Sequence, residues 1–170
     1  MRYFRFVSVI VLMLGLGVHT GYTDSGQASK AQEPSSEKIR LDVYKSPTCT
    51  CCAKWVEHME AEGFEVAVHH PSDLRKIKAK HGIAARLQAC HTAVSEEGYV
   101  FEGHIPAKYI RDFFKAPPEY SAGLVVPGMP VGSPGMESEN KFSPYRVLLL
   151  KTSGGTTVFS EIKYAREQYR

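Results

Sequence analysis

Three of the four cysteines fall within four positions, Cys49-Thr50-Cys51-Cys52. Cys49 and Cys52 make a C-x-x-C pair. At the start of a helix such a pair does redox chemistry, because the positive helix end and its unpaired N–H groups favour thiolate over thiol. These two are the candidate catalytic residues. Cys51 changes the argument, since a dithiol enzyme needs only two sulfurs. A Cys51–Cys52 bond would be vicinal and a Cys49–Cys51 bond would close a very small ring, both against ordinary disulfide geometry. Three sulfurs on one turn fit better as a nest for a soft metal ion.

Other soft or borderline donors lie further along. Pro127-Gly128-Met129 recurs seven residues later as Pro134-Gly135-Met136. Thioethers suit Cu(I), so Met129 and Met136 are lesser candidates; equally, they could fill apolar gaps on a rigid turn. His91 adjoins Cys90. His104 follows Gly103 ahead of a helix, where a capping or packing role competes with ligation. His58 is expected to face solvent among glutamates. No Ser/His/Asp set, phosphate-binding glycine loop or paired-carboxylate site is visible in the sequence.

The elements that must position these groups can be read from periodicity. Ile39 to Tyr44 alternates as a strand, broken by Ser46 and Pro47. A helix follows, with Trp55, Val56 and Met59 on one face and Gly63 at its end. Phe64, Val66 and Val68 predict a second strand facing inward. Ser72 is a plausible N-cap for a helix to His81, with Arg75, Lys76, Lys78 and Lys80 as a solvated face. Strands over Thr92 to Ser95 and Tyr99 to Glu102 are joined by a tight turn. Pro106 opens a third helix running to about Lys115. Ala116 to Pro144 reads as one long loop, and Tyr145 to Lys151 with Thr156 to Glu161 as a terminal hairpin. The order is βαβα-ββα, an α/β thioredoxin-like arrangement, with an added C-terminal β-hairpin and a long Pro/Gly/Met loop.

In that topology the loop before the third strand faces the C-x-x-C turn. Where the fold usually keeps a cis-proline, this chain has Ala89-Cys90-His91. Cys90 can therefore supply a fourth sulfur from the opposite wall. A zinc knuckle would leave Cys51 unexplained and lacks a second pair, and iron–sulfur clusters want more widely spread cysteines. Cu(I) accepts two or three sulfurs and tolerates bridging thiolates. Copper leads and zinc is second.

The ends and the composition bound the setting. The chain has 170 residues and a formal charge of +3, enough for one domain and too little basic surface for a nucleic-acid protein. Residues 1–23 read as an export signal, with Arg2 and Arg5 before an apolar run too short for a comfortable membrane span. No cysteine precedes Cys49 to carry a lipid anchor. Without Arg2 and Arg5, 19 of the 21 basic residues remain against 18 acidic ones, so nothing steers the remainder to a membrane. Residues 24–38 read as a flexible tether, 39–162 as the metal-binding domain, and 163–170 as a charged tail expected to fray. The expected location is the periplasm, an oxidising compartment in which thiols must be oxidised, metal-bound or kept reduced.

Residues from about Leu41 to Phe159 resemble the exported bacterial copper-resistance CopG family. The resemblance rests on Val43-Tyr44-Lys45-Ser46-Pro47-Thr48-Cys49-Thr50-Cys51-Cys52 with Trp55, on Cys90-His91-Thr92-Ala93-Val94, on Glu102-Gly103-His104-Ile105-Pro106-Ala107, and on Val126 to Met136. Thr50 stands where that family has glycine. The resemblance implies a periplasmic protein holding several copper ions through bridging cysteines, with Cys49, Cys51, Cys52 and Cys90 as the thiolate cluster. It also implies interconversion of Cu(I) and Cu(II), and partners among periplasmic redox or copper-handling proteins. Two alternatives stay open: a copper buffer or chaperone without catalysis, and a thiol–disulfide oxidoreductase needing only Cys49 and Cys52.

Overall fold

A computed structural model describes residues 38–139 and 141–169. The expected export signal and all of the expected tether before Lys38 lie outside the described residues. Seven strands form a single sheet: β1 (Arg40–Lys45), β2 (Glu65–His69), β3 (His91–Ser95), β4 (Val100–Glu102), β5 (Ser121–Val125), β6 (Tyr145–Lys151) and β7 (Thr156–Ile162). Their spatial order is β2-β1-β3-β4-β5-β6-β7. Three helices are added, α1 (Thr50–Ala61), α2 (Leu74–Lys80) and α3 (Ala107–Lys115). The fold is thioredoxin-like, extended by further strands. The β1–β2 and β4–β5 pairs are parallel and the others antiparallel. Each parallel pair therefore takes a helical crossover, α1 for the first and α3 for the second.

Both faces of the sheet are covered. On one, Trp55, Val56 and Met59 of α1 and Ile110 and Phe113 of α3 pack on Leu41, Val43, Phe101, Leu124, Val147 and Ile162. On the other, Ile83 and Leu87 pack on Val100, Val125 and Leu150. The strict alternation of a strand divides neighbours between the two clusters, Phe101 to one and Val100 to the other. Among the described residues no helix is long and apolar enough to cross a membrane.

Several expectations change. Val68, expected inward, is 41% exposed, because β2 is an edge strand. Asp73, not Ser72, caps α2, its carboxylate accepting the Arg75 N–H at 3.0 Å. The long loop after α3 contains β5, which shows no alternation because Leu124 and Val125 are both fully buried, one in each cluster. Gly123 is required there: at φ +138°, an added Cβ would lie 1.8 Å from the Val100 carbonyl oxygen of β4. Within the described part of the charged tail, the chain is packed. Residues Ala165–Gln168 form a 3-10 turn. Gln168 is 1% exposed, and its amide donates to the Gly132 carbonyl at 2.9 Å while accepting from the Tyr145 hydroxyl. The C-terminus thus clamps the Pro/Gly/Met loop.

Candidate metal centre

The turn after β1 sets the first wall of the site. Ser46 accepts the Cys49 N–H on its carbonyl at 3.2 Å. Cys49 then occupies the N-cap of α1, and no side chain caps the first turn. The unpaired N–H groups there are free to face sulfur, which is the electrostatic setting that stabilises thiolate. Cys52 is fully buried, while Cys49 and Cys51 are half-buried. Cys49 and Cys52 are joined as a disulfide with Cα atoms 5.4 Å apart, and Cys51 and Cys90 are free thiols.

The second wall comes from the loop entering β3. The Sγ atoms of Cys49, Cys51, Cys52 and Cys90 all lie within 4.8 Å of one another. Cys51 Sγ is 3.4 Å from Cys49 Sγ. Burial, reinforced by the neighbouring Cys51 thiol, pushes the Cys90 thiol up to about 12. In the absence of metal Cys90 keeps its proton, so a metal that binds there must displace it.

Two histidines complete this wall. His91, His104, Cys90 and Cys52 form a second donor group within the same 4.8 Å limit. His104 Nδ1 lies 2.8 Å from the Pro134 carbonyl oxygen, which assigns the ring proton to that nitrogen. Nε2, 3.0 Å from Cys90 Sγ, therefore presents a lone pair to the cluster. A ring held by a carbonyl on one nitrogen, with the lone pair of the other turned towards thiols, is suited to metal ligation. His104, considered for a capping or packing role, is fully buried against His91 and also stands among the sulfurs. His91 lies with Nδ1 3.4 Å from Cys90 Sγ, and its buried Nε2 has no partner. Burial holds His91 well below 6.5, with the adjacent His104 ring and the Lys78 charge adding to the effect; burial also lowers His104. Both rings are neutral at neutral pH, the form that binds metal.

Trp55, on the buried face of α1, ties the two walls together. Its Nε1–H donates to the Ile105 carbonyl at 2.8 Å, and its ring lies 4.3 Å from that of His91. His58, expected in solvent, is half-buried and accepts the Ala107 N–H on Nε2 at 3.2 Å. It thereby satisfies one of the orphan donors at the start of α3.

The Pro/Gly/Met loop reaches the site first through its backbone. Gly135, at φ +83°, lies so close to α1 that a Cβ would sit 2.5 Å from the Cys51 carbonyl oxygen and 2.8 Å from the Trp55 nitrogen. That contact seats Pro134 over His104. Met136 is half-buried next to it, whereas Met129 is 52% exposed on its turn. Sequence reasoning missed the Pro134 carbonyl, the Trp55 tie and buried Lys78, since none of these carries a spacing signal.

Two solved structures are similar to this chain. They are described as copper resistance protein copG, forms 1 and 2. Each is 38% identical over 74% of this chain, covering 98% and 99% of the solved chains with TM-scores of 0.69 and 0.70. The chain belongs to the CopG family. Residues 87–136 also match a family model described as a protein of unknown function, DUF411. That stretch spans the Cys90 loop, His104 and the Pro/Gly/Met loop, the second wall of this CopG-family site. No curated protein matches. The cysteine cluster of this CopG-type fold is capable of coordinating a metal ion.

Proposed function

We propose that this chain is a periplasmic copper-resistance protein that binds copper, more than one ion, in the thiolate cluster of Cys49, Cys51, Cys52 and Cys90. His91 and His104 serve as nitrogen ligands, and Met136, ahead of Met129, as a thioether. The observation that carries this is the meeting of four sulfurs from two separated segments within 4.8 Å. The copper-resistance relatives support copper over zinc; the mixed sulfur and imidazole donor set suits either ion. The export signal expected at residues 1–23 supports the compartment.

The Cys49–Cys52 bond supports a redox role for this pair. Bonded sulfurs are poor ligands, so filling all four positions requires two electrons and converts the disulfide to two thiolates. Two Cu(I) ions release that number on oxidation to Cu(II), so the pair and the ions can exchange electrons in balance. Soft thiolates favour Cu(I), and the imidazoles suit either state. Periplasmic redox or copper-handling proteins are the partners this reading requires.

The test is copper stoichiometry and X-ray absorption on reduced protein loaded with Cu(I) without oxygen. Wild type is expected to bind several equivalents with sulfur neighbours and short copper–copper distances, and Cys51→Ser to lose tight binding. Unchanged affinity and stoichiometry in Cys51→Ser would remove the cluster from the reading. The disulfide at a helix N-terminus favours a second reading, exchange with protein disulfides. Substrate refolding at rates indifferent to copper would select it. Single-turnover oxidation of bound Cu(I), with no second cycle, would select a buffer or chaperone.

A further inference from the structure

Under the face of the sheet that α2 covers lies a buried ion pair that the copper chemistry above does not use. Lys78 is 3% exposed and Glu102 fully buried. Lys78, read from sequence as part of a solvated face, points inward instead. Its Nζ donates to Glu102 Oε1 at 2.5 Å and to Thr92 Oγ1 at 3.0 Å. The Thr92 hydroxyl donates to Glu102 Oε2 at 2.6 Å. The Ala89 backbone N–H donates to Glu102 Oε1, also at 2.6 Å.

Stability alone is a poor reason for this arrangement. Removing two charges from water is costly, and a well-packed apolar pair of similar volume commonly does as well or better. What an apolar pair cannot do is fix the position of a polar backbone. The bonds of this one carboxylate fall on Ala89 and on Thr92, the two residues that flank Cys90-His91. The residue just after β4 adds a third hold, Gly103 N–H donating to the His91 carbonyl at 3.1 Å. The Cys90-His91 dipeptide is thus gripped on both sides from β4, and Lys78 fixes the carboxylate and balances its charge.

We propose that Glu102 and Lys78 are positioning residues of the metal centre, holding Cys90 and His91 where their donors meet the cysteines of α1. Neither touches the metal. This inference rests on the reading of Cys90 as a ligand. Outer supports of this kind change metal affinity by about 10–100-fold when removed.

The test compares two charge-balanced variants of similar volume. Lys78→Met/Glu102→Met removes both carboxylate oxygens that hold Ala89 and Thr92. Lys78→Met/Glu102→Gln keeps an amide oxygen for the Ala89 N–H. In reduced, metal-free protein, alkylation of Cys90 by iodoacetamide is followed by mass spectrometry, with Cys51 as the internal reference. The Cys90-to-Cys51 rate ratio is expected to rise several-fold in the Met/Met variant and to return towards wild type in the Met/Gln variant. On loading with Cu(I), the Met/Met variant is expected to bind about 10–100-fold more weakly, with the spectrum of Cys90→Ser and no further loss when the two are combined. An unchanged rate ratio overturns the proposal, as does wild-type copper affinity or a fully additive loss with Cys90→Ser. If Cys90→Ser itself binds copper like wild type, the ligand reading fails, and the alkylation ratio still decides whether the carboxylate positions the loop. Should the Met/Met variant not fold, Thr92→Val carries the same two measurements, with the same directions expected.

Discussion

The two walls of the site are built by opposite means. The first, Cys49 to Cys52, is local: one turn from Ser46 and the first residues of α1 place three sulfurs together. The second, Cys90, His91 and His104, is assembled from a distance. Glu102 holds the residue before Cys90, the Pro134 carbonyl fixes the His104 ring, and Trp55 packs against His91. Substitutions in the supports should therefore disturb the second wall and spare the first.

The sharpest way to break that contrast is Gly135→Ala. A methyl there meets backbone atoms of Cys51 and Trp55 at a left-handed φ. Overpacking and the backbone penalty together predict a loss of about 2–4 kcal/mol. Urea unfolding should show it, and the His104 contribution to the copper spectrum should fall with it. Wild-type stability in this variant would mean that the loop does not rest on α1.

Acid should weaken the second wall, and with it the His58 contact between α1 and α3, since burial lowers His58 too. His91 and His104 have folded values below 6.5 because burial disfavours their charged forms. As pH falls through 6.5 the unfolded chain takes up protons first, so the stability present above 6.5 is lost from there down towards the folded values. The loss is about 1.4 kcal/mol per histidine for each pH unit in that window. Denaturant midpoints of metal-free protein at pH 7.5 and 5.5 check this, and a flat profile would contradict the burial of these rings.

A smaller effect is expected from Gln168→Ala. It leaves the Gly132 carbonyl without its donor, at a cost of about 1–3 kcal/mol, and loosens the Pro/Gly/Met loop. Thermal unfolding and proteolysis at that loop would report it, while alkylation of Cys51 stays unchanged. The smallest effect separates the methionines. Met129→Leu, at an exposed turn, should change stability by no more than about 0.5 kcal/mol and copper affinity less than Met136→Leu does. A larger copper loss from Met129→Leu would reverse their ranking.

Much of this molecule is legible in its residues alone. The C-x-C-C turn, the helix it opens, the βαβα-ββα order and the terminal hairpin follow from spacing, periodicity and turn residues, all properties of short windows. Strand β5 was hidden because a strand buried on both faces has no alternation, and Gly123 with its flanking prolines looks like loop. The convergence of Cys90 with the α1 cysteines could be anticipated from topology. The orientation of His104, the anchoring of the C-terminus through Gln168 and the inward turn of Lys78 could not. Each depends on a partner far along the chain, and a lysine among lysines on a short helix gives no local sign of the carboxylate it will meet. Sequence determined which donors exist and which of them share a turn. Tertiary packing alone decided which distant donors face that turn, because only the folded sheet sets the distances over which hydrogen bonds and buried charges act.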